Sequence, residues 1–290
     1  MTLAQPDFTL EYVFEHLTEL PTFPKVVQKA LAMLEDPNTL ITDLAEVLKF
    51  DPSITANILK VTNSAHFGLP QQVTSLETAL ALLGQKQIRE VLVASASLPY
   101  LARPIRGYGM EPRDLWAHSI GCALASEMLA EYINFPATDV LFTSALLHDI
   151  GKIVLNIFVG ARLDEIQAVA RQEDITFSEA EWKVIGSDHA VLGSQLLRYW
   201  ELPPDIVRAV RNHHDPDLYV QDELSALLAL SNILAVKLGI GVGADAFRHR
   251  INPRLLEMLG LDTDDCLKCM IKSFEALNEA QDLLGLASNL

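Results

Sequence analysis

The stretch Leu115-Trp-Ala-His-Ser-Ile-Gly-Cys-Ala-Leu-Ala-Ser-Glu-Met-Leu129 sets the reading of the chain. Leu115, His118, Cys122, Ala125 and Leu129 recur at spacings of 3, 4, 3 and 4, so one helix face carries all five. The same period runs on both sides of it. Val26, Val27, Ala30, Leu31 and Leu34 make one face, and Leu76, Ala79, Leu80 and Leu83 another. Start signals agree. Asp51-Pro52 places a cap before a proline at the first helical position, Thr74-Ser-Leu-Glu77 has capping-box spacing, and Ser178-Glu-Ala-Glu181 is a second candidate. Gly84 and Gly260 stand where left-handed helix ends are expected. No run of alternating residues with hairpin turns interrupts this pattern, and the fold class expected is all-α.

Composition breaks suggest the organisation. Pro99 to Arg113 adds Pro104, Pro112, Gly107, Gly109 and three arginines, Arg103, Arg106 and Arg113, and reads as a linker or ordered loop. Gly239, Gly241 and Gly243 mark a second break. The expected division is an extension over 1–19, an N-terminal helical subdomain over 20–98, the linker over 99–114, a second helical bundle over 115–238 and a C-terminal helical segment over 239–290.

The 290 residues hold 22 Lys plus Arg against 38 Asp plus Glu, a formal charge of −16. Such a surface repels phosphate backbones, and no run of five basic residues offers a local exception, which excludes a general nucleic-acid binder. Three cysteines cannot build a disulfide framework and point to a reducing compartment. The longest apolar stretch, Leu224 to Val236, is short of the ~20 residues a bilayer requires. The first residues lack a basic segment leading into an apolar one. A cytoplasmic protein without a membrane span is expected.

The chemistry sits on apolar helix faces in the second half. Besides His118, the faces are His189, Leu192 and Leu196; Ile206, Val210, His213 and His214; and Ala229, Asn232, Ala235 and Val236. A polar side chain on a buried face costs a few kcal/mol unless partnered. Four such faces suggest that the partners are one another or a shared ligand. Between them lies Leu146-Leu-His-Asp-Ile-Gly-Lys152. Adjacent His148 and Asp149 offer an imidazole and a carboxylate, a donor pair suited to a divalent transition metal. Lys152 falls four residues after His148, on the same face if the helix continues, where its ammonium would meet a phosphate. A metal there would polarise a phosphoryl oxygen, which makes Asp149 and Lys152 the candidate catalytic pair. Cys266 and Cys269 have CxxC spacing without the further ligands a structural zinc needs, so they read as ordinary helix cysteines. His66 reads as a structural residue closing a helix at Gly68.

The order His118, His148-Asp149, His189, His213-His214 and a late polar residue resembles the ligand order of the HD phosphohydrolase superfamily. Leu20-Pro-Thr-Phe-Pro-Lys-Val26, Asp51-Pro-Ser-Ile-Thr-Ala-Asn-Ile-Leu59, Asn63-Ser-Ala-His-Phe-Gly68, Ser75-Leu-Glu-Thr-Ala-Leu-Ala-Leu-Leu-Gly84 and Leu115-Trp-Ala-His-Ser119 narrow it to the HDOD (HD-related output domain) family, over roughly residues 17 to 235. The resemblance implies a bacterial signalling module in which an N-terminal helical bundle packs on an HD-like one. It also implies His118, His148, Asp149, His189, His213 and His214 as ligands of one or two ions of iron, manganese, zinc or nickel. Lys152 matches a phosphate-side lysine. Active relatives carry an Asp where this chain has Asn232, whose neutral amide can ligate but cannot act as a base. The expectation is therefore an output module acting mainly by binding. Its input would come from a signalling protein on a separate chain, or from elsewhere in a longer protein of which this chain is a piece, and a nucleotide or phosphate is the candidate ligand. The alternative is an active metal-dependent phosphohydrolase on a nucleotide or cyclic dinucleotide.

Overall fold

The computed structural model describes residues 22–64, 67, 69–159, 162–243 and 251–284. His66 and Gly68 lie outside them. Among the described residues every repeating element is a helix, and β pairing is limited to one antiparallel bridge between Ile105 and Met110. The fold is all-α. The chain forms two compact units, one built on Thr22–Pro99 and the other on Tyr100–Asn278.

The first unit contains α1 (Lys25–Glu35), α2 (Ile41–Leu48), α3 (Pro52–Thr62) and most of α4 (Leu76–Leu101). Its core takes Val27, Ala30 and Leu34 from α1, Leu44 and Leu48 from α2, Ile54 and Ile58 from α3, and Ala79, Leu80 and Leu83 from α4. Asp51 caps α3 as its sequence predicts, its carboxylate accepting from the Ser53 and Ile54 N–H groups at 3.0 Å each. One expectation needs correction. The Ser75 hydroxyl, not that of Thr74, accepts from the first turn of α4, from Thr78 N–H at 3.4 Å. Gly84 stands at a break as expected: with φ 73° and ψ 168°, a backbone open to a residue without Cβ, it parts α4 into two helical segments that meet across a kink.

The second unit continues from α4 through a loop containing the 3₁₀ turn Arg106–Tyr108. It then holds α5 (Asp114–Ile133), α6 (Thr138–Leu147), α7 (Gly151–Val159), α8 (Leu163–Glu173), α9 (Phe177–Ile185), α10 (His189–Tyr199), α11 (Pro204–Asn212), the single turn α12 (Pro216–Tyr219), α13 (Glu223–Lys237), α14 (Pro253–Leu259) and most of α15 (Thr263–Leu284). Helix α13 is buried on every side from Leu224 to Ala235, and α5 is buried over most of its surface. They pack on each other and on α6, which encloses the polar residues those helices carry. Thr138–Ile157 is long and apolar enough to cross a membrane by length and composition, yet 78% of that window is buried inside the protein, as in a core helix.

Of the stretch 99–113, residues 99–101 finish α4 and the rest is an ordered loop. Ile105, Tyr108 and Met110 are buried in it, and Arg103, Arg106 and Arg113 are exposed. The second capping box lies two residues earlier than Ser178-Glu181 suggests. Thr176 accepts from Glu179 N–H at 3.3 Å, and Glu179 accepts from Thr176 N–H at 2.7 Å. That frees Glu181 for the interior.

Helices α7 and α10 meet without side chains between them. A Cβ on Gly151 would lie 1.9 Å from the His189 carbonyl oxygen and 2.6 Å from the Gly193 nitrogen. Backbone cannot yield as a flexible side chain does. Gly151→Ala is expected to cost about 1–3 kcal/mol, seen as a fall of several degrees in Tm. An unchanged Tm would show that the helices need not touch.

Candidate metal centre

Four helices each deliver an imidazole to the middle of the second unit, and the way each is held fixes its direction. His148 is the C-cap of α6 and His213 the C-cap of α11. The end of a helix leaves carbonyls without partners, and both histidines use Nδ1 to serve the carbonyl three residues back: Ala145 at 2.7 Å and Val210 at 2.5 Å. His118 lies within α5, its Nδ1 3.2 Å from the Ile240 carbonyl. Gly241, at φ +54°, lets that carbonyl come so close, because a Cβ there would stand 2.0 Å from the Asp114 carbonyl oxygen. His189 opens α10 behind its cap, Asp188, which accepts from Val191 N–H at 2.8 Å. Its Nδ1 meets Glu181 Oε2 at 2.7 Å.

Carbonyl and carboxylate oxygens only accept, so each Nδ1 carries a proton and each ring turns its Nε2 inward. What those nitrogens face is Asp149, on the turn between α6 and α7. His148 and His118 Nε2 lie 3.3 and 3.5 Å from its Oδ2, and His189 and His213 Nε2 lie 3.3 and 4.0 Å from its Oδ1. His214 Nε2 is 2.8 Å from His189 Nε2, and Asn232 Oδ1 is 3.1 Å from His118 Nε2. All seven residues expected as ligands thus come together. His118, His148, Asp149, His189 and His213 are 2% exposed or less, Asn232 is buried and His214 is half-buried.

Lys152 is placed differently from the expectation. The helix does not run on through residues 148–150 but breaks into a turn there and resumes at Gly151. The Lys152 ammonium consequently bends back to Asp149 Oδ2 at 2.6 Å and lies over the Tyr108 ring, 5.5 Å from its centroid.

Two functional residues were hidden in the sequence. Glu181, fully buried, accepts from both the His189 N–H (3.0 Å) and its Nδ1–H, while its other oxygen accepts from the Tyr108 hydroxyl. Glu181 read as a helix-start residue and Tyr108 as part of a linker. The one available signal was Phe177, Ala180 and Glu181 at helical spacing, which puts a carboxylate on a buried face.

The arrangement fits a cation. His148 Nε2, Asp149 Oδ1 and His213 Nε2 have no hydrogen-bond partner although all are buried. Inward lone pairs around a carboxylate are costly unless a positive charge sits among them. Mixed imidazole and carboxylate donors suit a divalent transition metal. Among the described residues two groups are compact enough, His118, His148 and Asp149, and Asp149, His189, His213 and His214, with Asp149 common to both. Cys266 and Cys269 belong to neither; burial raises both thiols, that of Cys269 to about 11.

Without a metal the charge is met by protons. Burial opposes charging His148, yet Asp149 beside it raises the pKa to about 10. His189 reaches about 10 against the same burial, through Glu181 and Asp149. Burial raises the Asp149 carboxyl, but His148 and Lys152 overcome it and hold the pKa well below the usual range. Burial, then the charges on His148 and His189, keep His213 neutral.

A cavity of about 320 Å³ reaches this centre. His213, His214 and Asn232 line its inner end with Tyr219 and Ile233, and the exposed Asp174 and Glu179 are at its rim. Among the described residues no lysine or arginine lines it.

The HDOD domain family matches residues 20–216, and the chain belongs to that family. An HDOD domain protein of unknown function from Geobacter sulfurreducens is 26% identical, with a TM-score of 0.75 over 94% of this chain and 96% of its own. A protein of Shewanella amazonensis provisionally described as a phosphohydrolase is 21% identical, with a TM-score of 0.71 over 96% and 97%. One of Marinobacter aquaeolei provisionally described as a signal transduction protein is 20% identical, with a TM-score of 0.75 over 97% of this chain and 65% of its own. An uncharacterised protein of Treponema pallidum is 20% identical over 204 residues, 70% of this chain, and the match spans 39% of that protein's length.

Histidines with pKa values raised to about 10 are stabilised in the folded state below pH 6.5, and that stabilisation is lost as pH rises through 10. A metal must displace those protons. Metal affinity is therefore expected to rise between pH 6 and 9, with protons released on binding. Calorimetry in buffers of different ionisation enthalpy reads the release, and a binding enthalpy independent of buffer would contradict it.

Proposed function

We propose that this chain is an HDOD signal-transduction module whose centre takes a divalent transition metal and acts by binding. The observation that carries the reading is the ring of inward Nε2 atoms around Asp149, each imidazole already locked from behind. His118, His148 and Asp149, with Asn232 beside them, would hold one ion; Asp149, His189, His213 and His214 would hold the same ion or a second. A bound divalent ion would supply Lewis acidity, polarising an oxygen of a ligand in the cavity. The candidate ligand is a nucleotide or phosphate, and the candidate partner a signalling protein on a separate chain. The description of the Marinobacter protein supports the signalling role. Three free cysteines, all buried, accord with a cytoplasmic setting.

Two features weigh against turnover. Asn232 puts a neutral amide where a carboxylate would strengthen the hold on a cation and offer a base. Lys152 is engaged with Asp149 at 2.6 Å, so its ammonium is already paired. The phosphohydrolase reading rests on the retained histidines and on the Shewanella protein's description. Asp149→Ala is expected to abolish metal content with the helical spectrum kept, and unchanged metal content would contradict the site. Metal-loaded protein assayed on bis-p-nitrophenyl phosphate and on cyclic dinucleotides separates the two functions. The binding reading expects turnover no higher than that of the Asp149→Ala protein, with a gain in Asn232→Asp. Turnover in the natural chain that Asp149→Ala removes would establish the enzyme instead.

A further inference from the structure

The loop between Ala102 and Arg113 is built rather than slack. Arg113 N–H donates to the Ala102 carbonyl at 3.1 Å and closes its base. Ile105 and Met110 exchange both backbone bonds, at 3.0 and 3.2 Å. Gly107 lies so close to Leu163 of α8 that a Cβ would fall 1.6 Å from its Cδ1, and its N–H donates to Asn156 Oδ1 of α7 at 3.3 Å. This frame delivers one large side chain inward: Tyr108, fully buried, with Phe177 at 5.0 Å between ring centroids and the edge of His189 at 6.4 Å.

The polar end of Tyr108 meets Glu181, and Glu181 meets the centre. A buried carboxylate needs its charge answered. Here one oxygen accepts from the Tyr108 hydroxyl and the other from two N–H groups of His189. Such a carboxylate fixes the ring's tautomer and orientation and strengthens Nε2 as a ligand. The Tyr108 ring also carries the Lys152 ammonium on its face, so one loop residue touches both the carboxylate behind His189 and the cation beside Asp149.

We infer that Glu181 is a positioning residue of the centre and that, through Tyr108, it ties metal occupancy to the order of the loop over residues 102–113. Metal on His189 Nε2 draws on the Nδ1–H bond to Glu181. The Glu181–Tyr108 bond responds, and the loop tightens. This rests on the metal reading above, and the test is chosen so that the two fail separately.

The probe is Co²⁺, titrated into the natural chain, Glu181→Gln and Tyr108→Phe, with its visible d–d bands and backbone hydrogen exchange followed together. The natural chain is expected to bind and, on loading, to slow exchange at the Tyr108, Gly109 and Met110 amides. Glu181→Gln keeps the shape and removes the charge; it is expected to bind about 10–100-fold more weakly, with altered d–d bands. At saturating Co²⁺, both variants are expected to lose the metal-dependent slowing. Loop exchange that ignores metal in the natural chain, or slowing that persists in the variants, overturns the inference and leaves the metal centre standing. No Co²⁺ uptake by the natural chain removes the metal reading and the inference with it. Should Glu181→Gln fail to fold, Tyr108→Phe decides, since it deletes one hydroxyl and no charge.

Discussion

A carboxylate at the centre of a helical bundle is the constraint around which the second unit is arranged. Asp149 is 1% exposed, and moving such an ion out of water costs several kcal/mol even after relaxation. The cost is tolerable only among positive or polarising groups. The fold supplies Lys152 at 2.6 Å and four imidazoles whose Nε2 atoms stand 3.3–4.0 Å away. Much of the local backbone serves that arrangement. The helix breaks after Leu147 to present Asp149, Gly151 lets α7 touch α10, and Gly241 brings a carbonyl onto His118. Two helices end on histidines that satisfy their own terminal carbonyls and thereby aim the opposite nitrogen at the carboxylate.

Much of this was legible in the sequence, because periodicity reports which face is buried. His118, His189, His213 and Asn232 each stood on an apolar face, and a buried polar group implies a partner. Their convergence on Asp149 is what the structure adds. Three features escaped for physical reasons. The turn over residues 148–150 carries no mark of its own beyond the Gly151 that follows it, so Lys152 read as facing with His148 when it bends to Asp149. Tyr108 lay in a stretch whose prolines and glycines advertise a linker, although its loop is clipped by backbone bonds and buried side chains. Glu181 matched capping-box spacing, which masked the Phe177, Ala180 and Glu181 spacing that turns it inward; the cap is Thr176.

The centre combines features that pull in opposite functional directions. Its histidines are oriented as metal ligands, with a carboxylate set behind one of them, as a site kept for a cation requires. Asn232 lowers the negative charge available to that cation, and among the described residues no lysine or arginine stands on the wall of the cavity leading in.

The central claim is that the imidazole ring around Asp149 is a metal site. Elemental analysis of protein purified without a histidine tag, from metal-supplemented medium, tests it most directly. The account predicts about one or two equivalents of iron, manganese, zinc or nickel per chain. A folded, helical protein that carries no metal and takes none up would contradict it, leaving His118, His148, His189 and His213 as a polar core charged by protons alone.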